Sequence, residues 1–168
     1  EGIGIQEICE QISSLQSVTG RMEIIGDNNE VNVIIDYAHT PDALKSVLSA
    51  LRAHFDGKVW CIFGCGGNRD KGKRSIMGEV AEQYADYLIV TDDNPRNESG
   101  DEIIQHILSG IGHPQVVTII RDRAKAIEFA IKNASARDVV LIAGKGHETC
   151  QEILGTKNKF SDSAEAKV

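Results

Sequence analysis

Five short runs of nearly continuous apolar, largely β-branched residues dominate the chain: Val31 to Ile35, Val59 to Phe63, Tyr87 to Thr91, Val116 to Ile120 and Val139 to Ala143. None is long enough for a core helix, and none shows the in-out alternation of a sheet with one wet face. Each therefore predicts a strand buried on both sides. Helical stretches lie between them with their own start signals. Thr40 caps a helix whose first position is Pro41, Ser99 precedes Asp101 to Leu108, and Asp122 precedes Ala124 to Ala130. Strand and helix in regular alternation lead to an α/β fold, a doubly wound and mostly parallel sheet of about six strands. The last segment breaks the pattern. Gln151 to Leu154, a turn over Gly155 to Asn158, and Lys159-Phe160 predict a short hairpin at the sheet edge, and Ser161-Asp162-Ser163 starts a final helix.

The rest of the chain narrows the setting. Ile5, Ile8, Ile12 and Leu15 recur at helical spacing, so residues 1–18 are expected to form one amphipathic helix set apart from a domain over 19–168. Glu1-Gly2-Ile3 offers neither an initiator Met nor a basic leader, and the expectation is a soluble piece of something longer. A formal net charge of −7 gives no whole-chain attraction to nucleic acid or to an anionic membrane, and no run approaches the ~20 apolar residues of a spanning helix. Cys9, Cys61, Cys65 and Cys150 follow no disulfide or metal-ligand spacing, which points to a reducing, cytoplasmic compartment and to no metal site.

The chemistry-bearing residues collect after the strands. They are Asp36-Tyr37-Ala38-His39-Thr40, then Gly64 to Arg74, then Asp92-Asp93-Asn94-Pro95-Arg96, then Gly144-Lys145-Gly146-His147-Glu148. Open α/β sheets bind ligands at the carboxyl ends of their strands, so these four segments are expected to converge on one site. Arg69, Lys71, Lys73 and Arg74 place four cations within six residues, on a glycine loop that opens a helix, and an anion is expected there. Gly67 to Lys73 fits G-x-x-x-x-G-K, but a P-loop needs Ser or Thr next and Arg74 stands in that place. A solvated basic loop is the plainer alternative. Asp93 and Arg96 side by side suit a zwitterion, a guanidinium fork for its carboxylate and an acid for its ammonium; the plainer alternative is an Asn-Pro turn.

Taken in order, Gly20-Arg21-Met22-Glu23, Asp36 to Asp42, Gly64 to Arg74, Asp93 to Arg96, Gly144 to Glu148 and Phe160-Ser161-Asp162 resemble the C-terminal domain of the Mur ligase family. The resemblance covers residue 19 to the end and implies a Rossmann-like fold. It is nearest to the members that add meso-diaminopimelate to UDP-MurNAc-L-Ala-D-Glu in peptidoglycan synthesis. In such a ligase ATP activates the substrate carboxylate as an acyl phosphate, and the amine of the incoming amino acid attacks it. ATP and Mg²⁺ are held mainly by a central domain, of which residues 1–18 would be the last helix. The resemblance assigns meso-diaminopimelate to Asp93, Asn94, Pro95 and Arg96, with Arg69, Gly144 and Glu148 as further contacts. Asp36 and His39 fall where family members meet the nucleotide, and no catalytic residue is implied within this chain. Asn68 departs from the Asp that many members carry. The competing readings are a stand-alone nucleotide- or phosphate-binding module and an interaction piece whose loops dock another domain.

Overall fold

A computed structural model of the chain describes residues 4–5, 18–26 and 31–167. The helix expected over 1–18, and with it the boundary at 18/19, falls almost wholly outside the described residues. Strands β1 (Glu23–Ile25), β2 (Asn32–Asp36), β3 (Val59–Phe63), β4 (Tyr87–Val90), β5 (Thr118–Ile119) and β6 (Val139–Ala143) form one sheet in the order β1-β2-β6-β3-β4-β5. Every pairing is parallel except that of β1 with β2. Helices α1 (Pro41–His54), α2 (Gly72–Tyr84), α3 (Gly100–Leu108) and α4 (Arg123–Asn133) connect the strands, and a short α5 (Asp162–Glu165) closes the chain.

Parallel neighbours need crossovers, and the crossovers here wind both ways. β2, β3, β4 and β5 step in one direction with α1 to α3 over one face, and α4 returns over the other to insert β6 between β2 and β3. Strand side chains alternate between two cores. Ile34, Cys61, Phe63 and Leu141 meet Leu44, Leu48, Leu51, Met77 and Ile107, while Ile35, Ile62 and Ile142 meet Ala126, Ile127 and Ala130. Burial on both faces is why these strands show no alternation in the sequence.

β3 and β6 have the expected bounds, and β2 is shifted by one residue. β5 is shorter than expected, because Pro114–Val116 makes a 3₁₀ turn in which Val117 N donates to Pro114 O at 3.3 Å. β1 has three residues, and Ile24 is exposed; too short for a pattern, it is visible only through its pairing with β2. The hairpin, β7 (Cys150–Ile153) and β8 (Thr156–Lys159), forms its own two-stranded sheet rather than extending the main one. It turns on Leu154-Gly155, at φ +48° and +76°, rather than over 155–158. A Leu in the left-handed region is uncommon, which hid the turn.

Candidate functional site: a mixed-charge cleft at the strand ends

The loops after β2, β3, β4 and β6 enclose a cleft of about 440 Å³. It lies where the winding reverses, beside the carboxyl ends of β2, β6 and β3. Arg69, Asp93, Asn94, Arg96, Gly144, Glu148 and His39 all line it. Pro95 and Asp36 do not; both act through the frame.

The loop after β3 is sewn to the loop after β4. Gly67 N donates to Asn94 O at 2.8 Å, and a Cβ on Gly67 would stand 1.8 Å from Pro95 O, so only glycine allows this approach. Arg74, wholly buried, closes the seam from below: its NH1 and NH2 reach Glu98 at 3.1 Å, NH1 meets His106 Nδ1 at 3.0 Å, and NH2 donates to Gly66 O at 3.2 Å. Hydrogen bonds from Arg74, and from the Asn68 amide, hold the Glu98 carboxyl down to about 2.

This overturns the expectation of a four-cation anion cradle. Arg74 is spent on Glu98, Lys71 lies 3.4 Å from the same carboxylate, and Lys73 Nζ donates to His39 O at 2.7 Å. Three of the loop's backbone amides are occupied as well: Gly67 N by Asn94 O, Asn68 N by Glu98, and Gly72 N by Asp70 Oδ1. A P-loop needs those amides turned to a phosphate. Of the four cations, Arg69 and Lys73 line the cleft.

The loop after β4 supplies both signs of charge. Asp93 Oδ1 accepts from Asn94 N at 2.7 Å, and Oδ2 faces Gly144, where a Cβ would come within 3.0 Å. Gly144 has φ +112°, so glycine is required there on two counts. Arg96 sits at φ +52°, its NH1 donating to Gly67 O at 2.9 Å and its Nε 3.5 Å from Glu152. The hairpin grips this loop: Arg96 N donates to Glu152 O at 3.0 Å, and Gln151 Nε2 to Asp93 O at 2.8 Å.

After β6, Lys145 is wholly buried. Its ammonium donates to Asn94 Oδ1 at 3.1 Å, Glu148 Oε2 at 2.9 Å and Cys150 O at 2.8 Å. Asn94 Nδ2 also donates to Glu148 Oε2, at 2.9 Å. The two acids are driven apart. Burial pushes the Asp93 carboxyl up, against the pull of Arg123 and Lys145. Burial also opposes ionisation of Glu148, but the hydrogen bonds from Lys145 and Asn94 outweigh it and leave the carboxyl below its ordinary value.

After β2, both Asp36 oxygens are taken by backbone amides, Oδ2 by Met22 at 2.9 Å and Oδ1 by Ala38 at 2.8 Å. Asp36 thus fastens the approach to β1 rather than facing the cleft. His39 is exposed, its ring 4.6 Å from that of Tyr37, over which Arg21 lies at 4.6 Å.

Sequence reasoning did not single out Glu98, Arg123 or the role of Lys145. Arg123 is wholly buried and pairs with Asp162 at 2.7 and 2.9 Å, fastening α5 to the end of β6 through a further bond to Ala143 O at 3.0 Å. A charged residue directly after a helix cap reads as solvent-facing, and only the distant Asp162 shows otherwise. Among the described residues no three His, Cys, Asp or Glu side chains gather as a metal would require.

Fold and cleft together define a doubly wound α/β domain with a polar, mixed-charge cleft at its switch point. The family model for the Mur ligase, glutamate ligase domain, matches residues 20–146, and the chain belongs to that family. It is 52% identical over 164 residues to the UDP-N-acetylmuramoyl-L-alanyl-D-glutamate–2,6-diaminopimelate ligase of Xylella fastidiosa, covering 97% of this chain and 33% of that protein. The ligase of the same name from Haemophilus influenzae is 52% identical over 161 residues, covering 96% and 33%. A solved structure of a UDP-N-acetylmuramoyl-L-alanyl-D-glutamate–2,6-diaminopimelate ligase superposes with a TM-score of 0.84 at 42% identity, over 98% of this chain and 34% of that one. The chain spans about a third of the length of these relatives.

Proposed function

We propose that this chain is the amino-acid-holding domain of an ATP-dependent ligase that joins meso-diaminopimelate to UDP-MurNAc-L-Ala-D-Glu in the bacterial cytoplasm. One observation carries the reading: cations and acids stand side by side around one cleft, each anchored at one atom. Arg96 is tied through NH1, Asp93 through Oδ1 and Glu148 through Oε2. Among the described residues Arg96 NH2, Asp93 Oδ2 and Glu148 Oε1 have no hydrogen-bond partner, and these face a ligand that carries both charges. The names of the relatives give the same ligand.

On this reading residues 19–168 are the binding domain and 1–18 the last helix of an ATPase domain, which with the rest of the longer protein holds most of the ATP and Mg²⁺. Here the chain's own residues bind and orient the amino acid. Arg96 and Arg69 take the distal carboxylate, and Asp93 and Glu148 take the distal ammonium, leaving the other amine to react. Tyr37 and His39, at the rim, offer the nucleotide a flat polar surface, while Asp36 supports them from behind. The occupied amides of Gly67, Asn68 and Gly72 count against a stand-alone phosphate-binding module.

An NMR titration of the 168-residue chain tests this. Meso-diaminopimelate should shift the amides of Asp93, Asn94, Arg96 and residues 144–148, and L-lysine, lacking the distal carboxylate, should bind at least ~100-fold more weakly, since a site built around a polar partner rejects an analogue without it. Saturable binding of ATP-Mg²⁺ with no response to diaminopimelate would replace this reading with the phosphate module.

A further inference from the structure

Lys145 lies behind the cleft, wholly buried and out of reach of any ligand, with all three ammonium protons directed to acceptors. Its partners come from two loops and the hairpin: Glu148 follows β6, Asn94 follows β4, and Cys150 begins β7. Burying an ammonium is costly, and retaining one at the centre of three converging segments needs a reason that packing does not supply. The geometry shows one. Lys145 and Asn94 both bind the same oxygen of Glu148, Oε2, so the carboxylate is held from one side. Oε1, with no partner among the described residues, is left to the cleft.

We infer that Lys145 is a positioning residue, a buried strut that fixes the Asn94–Glu148 pair and turns Glu148 Oε1 toward an incoming ammonium. The inference rests on the reading that the cleft takes a zwitterionic amino acid, and it adds what makes the acid ready. Asn94 is fixed by the same device. Its Oδ1 accepts from Lys145 and from Glu152 N at 2.9 Å, which orients its amide and sends Nδ2 to Glu148. The charged groups around Glu148 are Lys145 on its own loop, Asp93 and Arg96 on the loop after β4, and Arg123 on α4. Of these, Lys145 alone donates to it.

The test replaces Lys145 with Met, close in length and without charge, in the 168-residue chain. Without ligand, the Glu148 carboxyl carbon is followed by NMR against pH. The wild type should titrate below the ordinary Glu range, and Lys145→Met should raise the midpoint by ~1 unit or more, the size of a lost contact with a neighbouring charge. With meso-diaminopimelate as probe, Lys145→Met should weaken binding by ~10-fold or more, the loss expected for a misplaced charged hydrogen bond. In a Glu148→Gln background the same substitution should change binding by less than ~2-fold, since a residue acting through Glu148 has nothing left to act on. An unmoved Glu148 midpoint, or equal losses in both backgrounds, overturns the inference. Should Lys145→Met fail to fold, the wild type decides: the Lys145 ammonium protons should exchange slowly enough to be seen at neutral pH, and their absence overturns it. Failure of the wild type to bind diaminopimelate while Glu148 responds to Lys145 removes the ligand assignment and leaves the strut standing.

Discussion

Arg74 and Arg96 clasp consecutive carbonyls of one glycine turn, Arg74 that of Gly66 at 3.2 Å and Arg96 that of Gly67 at 2.9 Å. The likeness ends there. Arg74 has no exposed side-chain surface and meets Glu98 through both terminal nitrogens, whereas Arg96 keeps 21% of its side chain exposed and faces Glu152 only at 3.5 Å. The first guanidinium has both terminal nitrogens satisfied from within, its buried Nε alone unpartnered, and holds two loops together. The second is anchored at one nitrogen and open at another, the condition of a group that awaits a partner. The two differ not in residue type or in the turn they clasp but in whether the protein already supplies the counter-charge.

Removing that counter-charge from Arg74 gives the largest expected effect. Glu98→Ala leaves a buried guanidinium without its carboxylate, and breaking such a pair should cost about 3–5 kcal/mol in urea unfolding. A cost under about 1 kcal/mol would mean that water or His106 replaces Glu98, and that Arg74 is less sealed than it looks. Arg96→Ala should show the opposite profile. Stability should fall by no more than about 1 kcal/mol, for the bond to Gly67 O, while affinity for meso-diaminopimelate drops by about 3 kcal/mol. Arg96→Lys should recover part of it, a point charge lacking the planar pairing. If Arg96→Ala instead unfolds the chain with little change in affinity, the two arginines share a structural role and the contrast collapses.

Much of the architecture was legible because burial on both faces leaves a plain mark. β3 and β6 are apolar at every position, and Thr40 and Asp122 do cap their helices, accepting from Ala43 N and Lys125 N. Ser99 stands at its expected cap position but makes no side-chain cap bond. The place of the site was legible too, since polar segments after parallel strands must share one end of a sheet. The division of labour within it was not. Arg69, Lys71, Lys73 and Arg74 are one basic run in sequence, and only the position of Glu98, 24 residues beyond Arg74, separates the structural cation from those of the cleft. Lys145 reads as a loop lysine between glycines. Its burial depends on Asn94, 51 positions earlier, and no local pattern carries that information.

Acid sharpens the comparison by a smaller amount. Glu98, held down to about 2 against an ordinary value of 4.5, binds protons less readily folded than unfolded. Its contribution is therefore complete above about pH 4.5 and fades as pH falls toward about 2. Asp93 runs the other way, since burial raises its carboxyl and the folded chain takes up a proton there more readily than the unfolded chain. Unfolding free energies between pH 5 and 2.5 should fall with pH for the wild type and less steeply for Glu98→Gln. Parallel curves would show that other carboxylates, not the Arg74 clasp, set acid sensitivity.

The smallest effect concerns backbone strain, which the cleft and the hairpin tip share. Arg96 and Leu154 both have left-handed φ, +52° and +48°, and Leu154 N donates to Arg96 O at 2.7 Å. At Arg96 the strained backbone carries a side chain into the cleft. At Leu154 it carries an apolar side chain, 76% exposed, into water. A left-handed conformation costs an ordinary L-residue roughly 1–2 kcal/mol, and Asn before Gly is the preferred pair for a two-residue hairpin turn. Leu154→Asn should therefore stabilise the chain by about 0.5–1 kcal/mol, a rise of roughly 1–4 °C in Tm for a domain of this size. Affinity for meso-diaminopimelate should not change, because the bond from residue 154 to Arg96 is made by the backbone and survives the substitution. A lower Tm would mean that the Leu154 side chain packs more than its exposure suggests. A raised Tm with altered affinity would mean that the hairpin turn sets the pose of Arg96, joining the two strained positions into one device.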